Sequence, residues 1–258
     1  MPPRVQTFFL SLAPNLRTSF VCFKSLFTHR PTSFFSESRE SEGWIYKSSY
    51  GSESPRRASL FELLLVNNYD ASHRERALTL KASLARLGGG VEVTDWNLLT
   101  TAKLGEYDGV VLSGSYDMLS RERIQAKFAK EIDAMKDYGG PALGVCFGHQ
   151  LLGHAFGSRV VRAAASAKGY RDAEVLRHDP LFRGLPSSIG VYESHYEEVE
   201  SLPASFAHLA RSSTAEICAM KHCRLPIYGV QFHPERYSLE KPDGEVILAN
   251  FVEHLTEE

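Results

Sequence analysis

At 258 residues the chain has room for one large domain, or for a domain with an extension. Its 43% hydrophobic and 23% charged residues are the balance of an ordinary globular protein, and a net charge of −2 gives no general attraction to nucleic acid or anionic membranes. No run approaches the roughly 20 apolar residues of a membrane helix, and four cysteines (Cys22, Cys146, Cys218, Cys223) are too few for a disulfide framework, which points to a reducing compartment such as the cytoplasm.

Composition shifts near residue 58. Residues 1–57 hold eight Lys/Arg against four Asp/Glu, a net of +4 that leaves −6 for the remaining 201. Nothing acidic precedes Glu37, while Arg, Ser, Thr and Phe are plentiful. Two readings fit this stretch: an organellar transit peptide, and an unstructured extension that adds nothing to catalysis. Residues 58–258 form the expected domain.

From Leu60 strands and helices alternate. Phe61–Val66 is a continuous apolar run of the kind found in buried parallel strands. Residues 72–87 place Ala77, Leu80, Leu84 and Leu87 on one helical face, and Gly88-Gly89-Gly90 stops the helix. Strands follow at 91–95 and 109–112. A helix is expected over 120–138, with Ile124, Phe128, Ile132 and Met135 at core spacing and Arg121, Arg123, Lys127 and Lys130 on a solvated face. Pro141–Val145 is the next strand, and a helix opens at His149. Short strands are expected at 159–161, 173–176, 189–192 and 216–220, then a main-sheet strand at 226–232 and a last helix over 244–255. The pattern predicts an α/β fold: an open, mostly parallel sheet flanked by helices, with a small antiparallel addition.

The chemistry sits at strand ends. Gly144-Val145-Cys146-Phe147-Gly148 places a cysteine between two glycines at a strand-to-helix turn, the arrangement of a nucleophile elbow. A helix N-terminus beside it favours the thiolate, the nucleophilic form. Cys146 needs a base, and the base needs an orienting group. His233 and Glu235 lie two apart after the last main strand, so in extended backbone both side chains share one side. Together they complete a nucleophile–base–orienter set. His149 reads as structural, and His195 is open between a second base and a pocket residue. Cys218, His222 and Cys223 match no zinc spacing and read as strand and loop residues, so no metal is expected.

At this point residues 60–255 resemble the class I (triad) glutamine amidotransferases. The resemblance rests on Gly144-Val145-Cys146-Phe147-Gly148-His149-Gln150, on Tyr192-Glu193-Ser194-His195, and on Tyr228-Gly229-Val230-Gln231-Phe232-His233-Pro234-Glu235. The variety it looks most like is the free-standing glutaminase subunit of GMP synthase. The resemblance implies a flavodoxin-like fold and hydrolysis of L-glutamine through a thioester on Cys146, with no cofactor. It also implies oxyanion donors at Phe147 and in the Ser113-Gly114-Ser115 turn, and a substrate pocket formed by Gln150 with the backbone of Ser194, His195 and Tyr196. The chain has no Gly-x-x-x-x-Gly-Lys phosphate loop and no pyrophosphatase signature, so ammonia would pass to an ATP-dependent synthetase in a separate chain.

The family's oxyanion turn usually reads Gly-Gly-Pro, whereas here it is Gly114-Ser115-Tyr116. Ser115 must then adopt backbone angles that glycine adopts easily. Free-standing relatives with a Gly-Ser turn, the γ-glutamyl peptidases, keep a hydrolase of glutathione-like compounds open as an alternative. A non-catalytic regulatory module is the third reading.

Overall fold

The structure is a computed structural model that describes residues 61–256, with side chains through Leu255. The extension expected over residues 1–57 lies outside the described residues. The strands, in chain order, are β1 (Glu62–Asn67), β2 (Gly90–Asp95), β3 (Gly109–Leu112), β4 (Ala142–Val145), β5 (Val160–Val175), β6 (Ser188–Val199), β7 (Phe206–Ser212), β8 (Ala219–His222) and β9 (Ile227–Val230). The helices are α1 (Glu75–Ala85), α2 (Thr101–Leu104), α3 (Glu122–Lys127), α4 (Ala129–Asp137), α5 (Phe147–Ala155) and α6 (Asp243–Thr256).

All nine strands join one sheet in the order β2-β1-β3-β4-β9-β8-β7-β5-β6. The first five are parallel, and the last four run antiparallel to their neighbours. Strand alternation divides the core between two faces. Leu63 and Leu65 of β1 pack with Leu80 and Leu84 of α1 and with Ile247, Leu248 and Phe251 of α6. Leu64 and Val66 face the other way, with Ile132 and Met135 of α4 and Leu151 and Leu152 of α5. Both faces are covered, so β3, β4 and β9 are buried along their whole length.

This topology gathers loops at one edge. Strand order reverses between β1 and β3, and in such sheets ligands sit outside the carboxyl ends of the strands at that reversal. Val66 pairs with Leu112, Leu112 with Gly144 and Val145 with Val230, so β1, β3, β4 and β9 end nearly level. Asn68, Ser113, Cys146 and His233 therefore emerge side by side.

Several elements differ from expectation. The 120–138 helix is two helices that meet at Phe128 (φ −96°, ψ 11°), whose buried ring is wedged between Trp96 and Phe147, 4.8 Å from each. Lys127 is only half-exposed: it lies over the Trp96 and Phe128 rings and pairs with Asp117. The segments expected at 159–161 and 173–176 are the two ends of one sixteen-residue strand, β5. Its middle, Ala163–Lys168, lacks strand formers, and its register against β6 shifts between Arg162 and Ala167, an irregularity that hides the continuous strand from local pattern. β7 has no sequence counterpart because a bulge between His208 and Ala210 breaks its in–out alternation. The antiparallel part is thus four strands. Among the described residues no helix is long and apolar enough to cross a membrane.

Candidate active site

Cys146, the expected nucleophile, is held by a strained turn. Cys146 follows β4 and precedes α5 with φ 52° and ψ −101°, the one positive-φ non-glycine among the described residues. Its N–H donates to Val230 O (2.9 Å) and its carbonyl accepts from Gln150 N (3.1 Å), which ties the turn to β9 and to the first turn of α5. The flanking glycines allow close approach: a Cβ on Gly144 would lie 2.6 Å from the Gly148 carbonyl, and one on Gly148 would lie 2.5 Å from Leu112 O. A backbone so placed costs about 1–3 kcal/mol. Cys146→Gly should therefore unfold at a higher temperature than Cys146→Ala, because only glycine relieves the strain. Equal thermal midpoints would count against it.

The expected base and its orienter follow β9. His233 Nδ1 lies 2.8 Å from Glu235 Oε1, with both side chains buried. The His233 N–H donates to Tyr192 O at 2.8 Å, which ties this loop to β6. Burial alone would lower the imidazole pKa, but the Glu235 carboxylate and then Cys146 outweigh it and hold His233 well above its ordinary value. Cys146 and His233 are thus near enough to interact electrostatically. The Cys146 thiol also faces Ser194 O, and Gln231 Nε2 points at its sulfur, each at 3.8 Å.

Cys146, His233 and Glu235 open into one pocket of about 400 Å³. Ser115, Gln150, Ser194, His195 and Tyr196 line it as well, so eight of the ten expected site residues share it. The other two expected contributors, Phe147 and Gly114, are not among the residues that line it. The Phe147 ring is buried against Phe128. Gly114 sits where a Cβ would be 2.5 Å from the Tyr69 hydroxyl and 3.1 Å from His233 Cε1, so only glycine fits beside the base. Ser115 does not adopt a positive φ, which removes the need for glycine there. Its hydroxyl accepts from Asp117 N at 3.1 Å and stiffens the turn.

Other side chains resolve into supporting parts. His195 turns Nε2 to Glu193 Oε2 (3.0 Å) and Nδ1 to Glu197 O (3.1 Å), so neither nitrogen is left to act as a second base. Glu193 is opposed by burial, but hydrogen bonds from His195, Thr214 and Ser212 hold its pKa below the usual range. His149 is fully buried, and desolvation pushes its pKa down to about 3, so it is a neutral core residue. Cys218 packs against Glu193 with its thiol pKa raised by burial, while His222 Nδ1 accepts two backbone N–H groups in the turn after β8.

Three residues around Cys146, two of them lining the pocket, carried no clear sequence signal. Gln231 reads as strand, yet it accepts from Gln150 Nε2 at 3.1 Å and points at Cys146. Glu197 is 2% exposed and lines the pocket, with Oε2 accepting from Ser120 N and Oε1 without a partner. Tyr69 reaches the triad from the loop after β1, and burial followed by the charges of Cys146 and Glu235 raises its pKa. Only the alternation of β6, which puts Glu193, His195 and Glu197 on one face, could have pointed to Glu197.

An elbow cysteine, a buried His–Glu pair and a flanking Ser113–Gly114–Ser115 turn on this sheet have the arrangement of a cysteine-nucleophile hydrolase site. The family model of class I glutamine amidotransferases matches residues 65–255, and the chain belongs to that family. Within it, the chain is similar to one of the subunits of glutamine-hydrolyzing GMP synthase. It is 42% identical to the Pyrococcus abyssi protein of that description over 143 residues, 55% of this chain and 73% of that one. It is 43% identical to the Methanosarcina barkeri protein over 148 residues, 57% of this chain and 74% of that one. A crystal structure from Thermoplasma acidophilum, provisionally described as the same GMP synthase component, superposes with TM-score 0.65 at 30% identity, covering 75% of this chain and 93% of that chain. A glutamine amidotransferase structure from Thermotoga maritima, at 19% identity and TM-score 0.65, shares the fold over 76% of this chain and 98% of that chain.

Proposed function

We propose that this chain hydrolyses L-glutamine to glutamate and ammonia, and passes the ammonia to a separate ATP-dependent synthetase of GMP synthase type. The observation that carries this reading is the Cys146–His233–Glu235 constellation at the head of a pocket large enough for glutamine. The Cys146 thiolate adds to the substrate's δ-carbon, and the carbonyl oxygen becomes an oxyanion facing the N–H groups of Phe147 and Ser115. As the C–N bond breaks, His233 gives its proton to the leaving nitrogen, releasing ammonia and leaving a γ-glutamyl thioester. A water then loses a proton to His233 and attacks the thioester, freeing glutamate and the thiolate. Glu235 keeps the imidazole oriented through both steps and stabilises its charged form.

At the far end of the substrate, Gln150 and the Ser194–Tyr196 backbone form the amino-acid subsite, with Glu197 beside them. The unpartnered Glu197 Oε1 suits the substrate's α-ammonium. Glu197→Gln should raise KM for glutamine by about tenfold or more, with kcat changed far less. Steady-state kinetics checks this, and an unchanged KM would remove Glu197 from the subsite.

Residues 1–57 are on this reading an extension outside the catalytic domain, which begins near residue 58. The enzyme works in the cytoplasm, or in an organelle if the extension is a transit peptide. The purified chain, offered glutamine and γ-glutamyl peptides with and without an ATP-pyrophosphatase partner, tests the whole proposal. Ammonia release from glutamine that rises with the partner is the expected result. Cleavage of γ-glutamyl peptides in preference to glutamine would overturn it in favour of a stand-alone peptidase.

A further inference from the structure

The turn expected to hold the oxyanion is anchored by a buried network in which two atoms lack partners. Ser113 donates its hydroxyl proton to Gly114 O at 3.0 Å, and that carbonyl belongs to the same peptide unit as the Ser115 N–H. The Ser113 hydroxyl in turn accepts from the Asn68 backbone N–H at 2.9 Å, and Ser113 O accepts from Asn68 Nδ2 at 3.2 Å. Asn68 thus holds both peptides that aim the proposed oxyanion donor. The orientation of its amide is set by Ser113 O, which accepts only an N–H.

The same Nδ2 donates to Glu131 Oε1 at 3.1 Å, from a residue on α4. Asn68 and Glu131 are both 0% exposed. Asn68 Oδ1 and Glu131 Oε2 are buried with no hydrogen-bond partner, although buried polar atoms almost always have one. Both are acceptors while Glu131 is ionised. One proton on Oε2, donated to Oδ1, satisfies the two together and closes a cyclic acid–amide pair.

We propose that Glu131 carries a proton and is a positioning residue for the oxyanion turn, acting through its paired amide Asn68 on the Ser113–Gly114–Ser115 peptides. Independent support comes from its surroundings: burial pushes its pKa up to about 8, and the Asn68 amide is the only opposing influence. The inference rests on the reading of this turn as the oxyanion hole, and so on glutamine hydrolysis.

Two substitutions separate positioning from bulk structure. Glu131→Gln keeps an uncharged planar partner for Asn68, and its kcat should stay within about twofold of wild type. Glu131→Leu removes the partner, and its kcat should fall about 10- to 100-fold with KM within about threefold. Alkylation of Cys146 by iodoacetamide, which needs no oxyanion hole, should proceed at the wild-type rate in both. Difference infrared spectra of wild type minus Glu131→Gln at pH 7 should contain the carbonyl stretch of a protonated carboxylic acid, a readout that does not depend on Glu131→Leu folding. Wild-type kcat in Glu131→Leu would overturn the proposal. So would equal loss in both variants, parallel loss of kcat and alkylation, or absence of the protonated band. Wild-type protein that releases no ammonia from glutamine overturns the functional reading and this proposal with it, whereas an active wild type with an unimpaired Glu131→Leu overturns this proposal alone.

Discussion

Cys146→Ala should lower ammonia release from glutamine by about 10⁴-fold or more, with the protein still folded. The size of the loss follows from what remains. The alanine keeps the pocket, the Phe147 N–H and the Ser113–Gly114–Ser115 turn, so glutamine still binds and its carbonyl is still polarised. No group is left to form the thioester, and a water must attack an unactivated amide directly. Circular dichroism and thermal melting should stay close to wild type, because alanine retains the Cβ that already occupies this positive-φ position. Activity within a hundredfold of wild type would mean that the sulfur at the elbow is not the nucleophile.

His233→Asn should cost nearly as much, about 10³- to 10⁴-fold in kcat, and the double variant with Cys146→Ala should be little worse than either alone. The two residues act as a unit, since the base is useless without a nucleophile to activate. Loss of His233 should also slow iodoacetamide alkylation of Cys146 at neutral pH, because the imidazolium and the thiolate stabilise one another. The pH dependence of stability has a definite sign. His233 has a folded-state pKa above its unfolded value of roughly 6.5. Its protonated form therefore stabilises the fold fully below that unfolded value, and the contribution disappears as pH rises through the raised one. His233→Asn should lose more thermal stability at pH 6 than at pH 10. The reverse order would contradict the charged His233–Glu235 pair.

How much of this was legible depended on whether a signal was local. Cys146 between two glycines, and His233 two residues from Glu235, are short-range patterns, and the fold brings them to one pocket. The parallel strands were equally readable, because burial on both faces makes them continuous apolar runs. The middle of β5 and the bulged β7 were not, since each carries a register shift that breaks the local pattern. Lys127 shows the limit of helical periodicity: next to the break at Phe128 it is half-covered against Trp96 rather than fully on a solvated face. Glu197 and Glu131 were invisible for another reason. In the sequence each is one more acidic residue on a strand or helix, and only packing makes one a pocket wall and the other a fully buried acid.

The Ser115 turn is the place where the sequence departs from its family, and backbone geometry bears on it directly. A glycine is indispensable only where φ is positive or where a Cβ has no room. Gly114 meets the second condition beside Tyr69 and His233. Ser115 meets neither: its φ is not positive and its side chain opens into the pocket. Serine at 115 is therefore not strained there, and the turn is free to play the oxyanion role proposed for it.

Acid-quench mass spectrometry on the wild-type protein mixed with L-glutamine reads the central step most directly. A γ-glutamyl increment on the peptide carrying Cys146, absent in Cys146→Ala and formed together with ammonia, is the predicted result. Glutamine turnover that survives Cys146→Ala, or no acylation and no ammonia even with a synthetase partner present, would contradict a thioester-forming glutaminase.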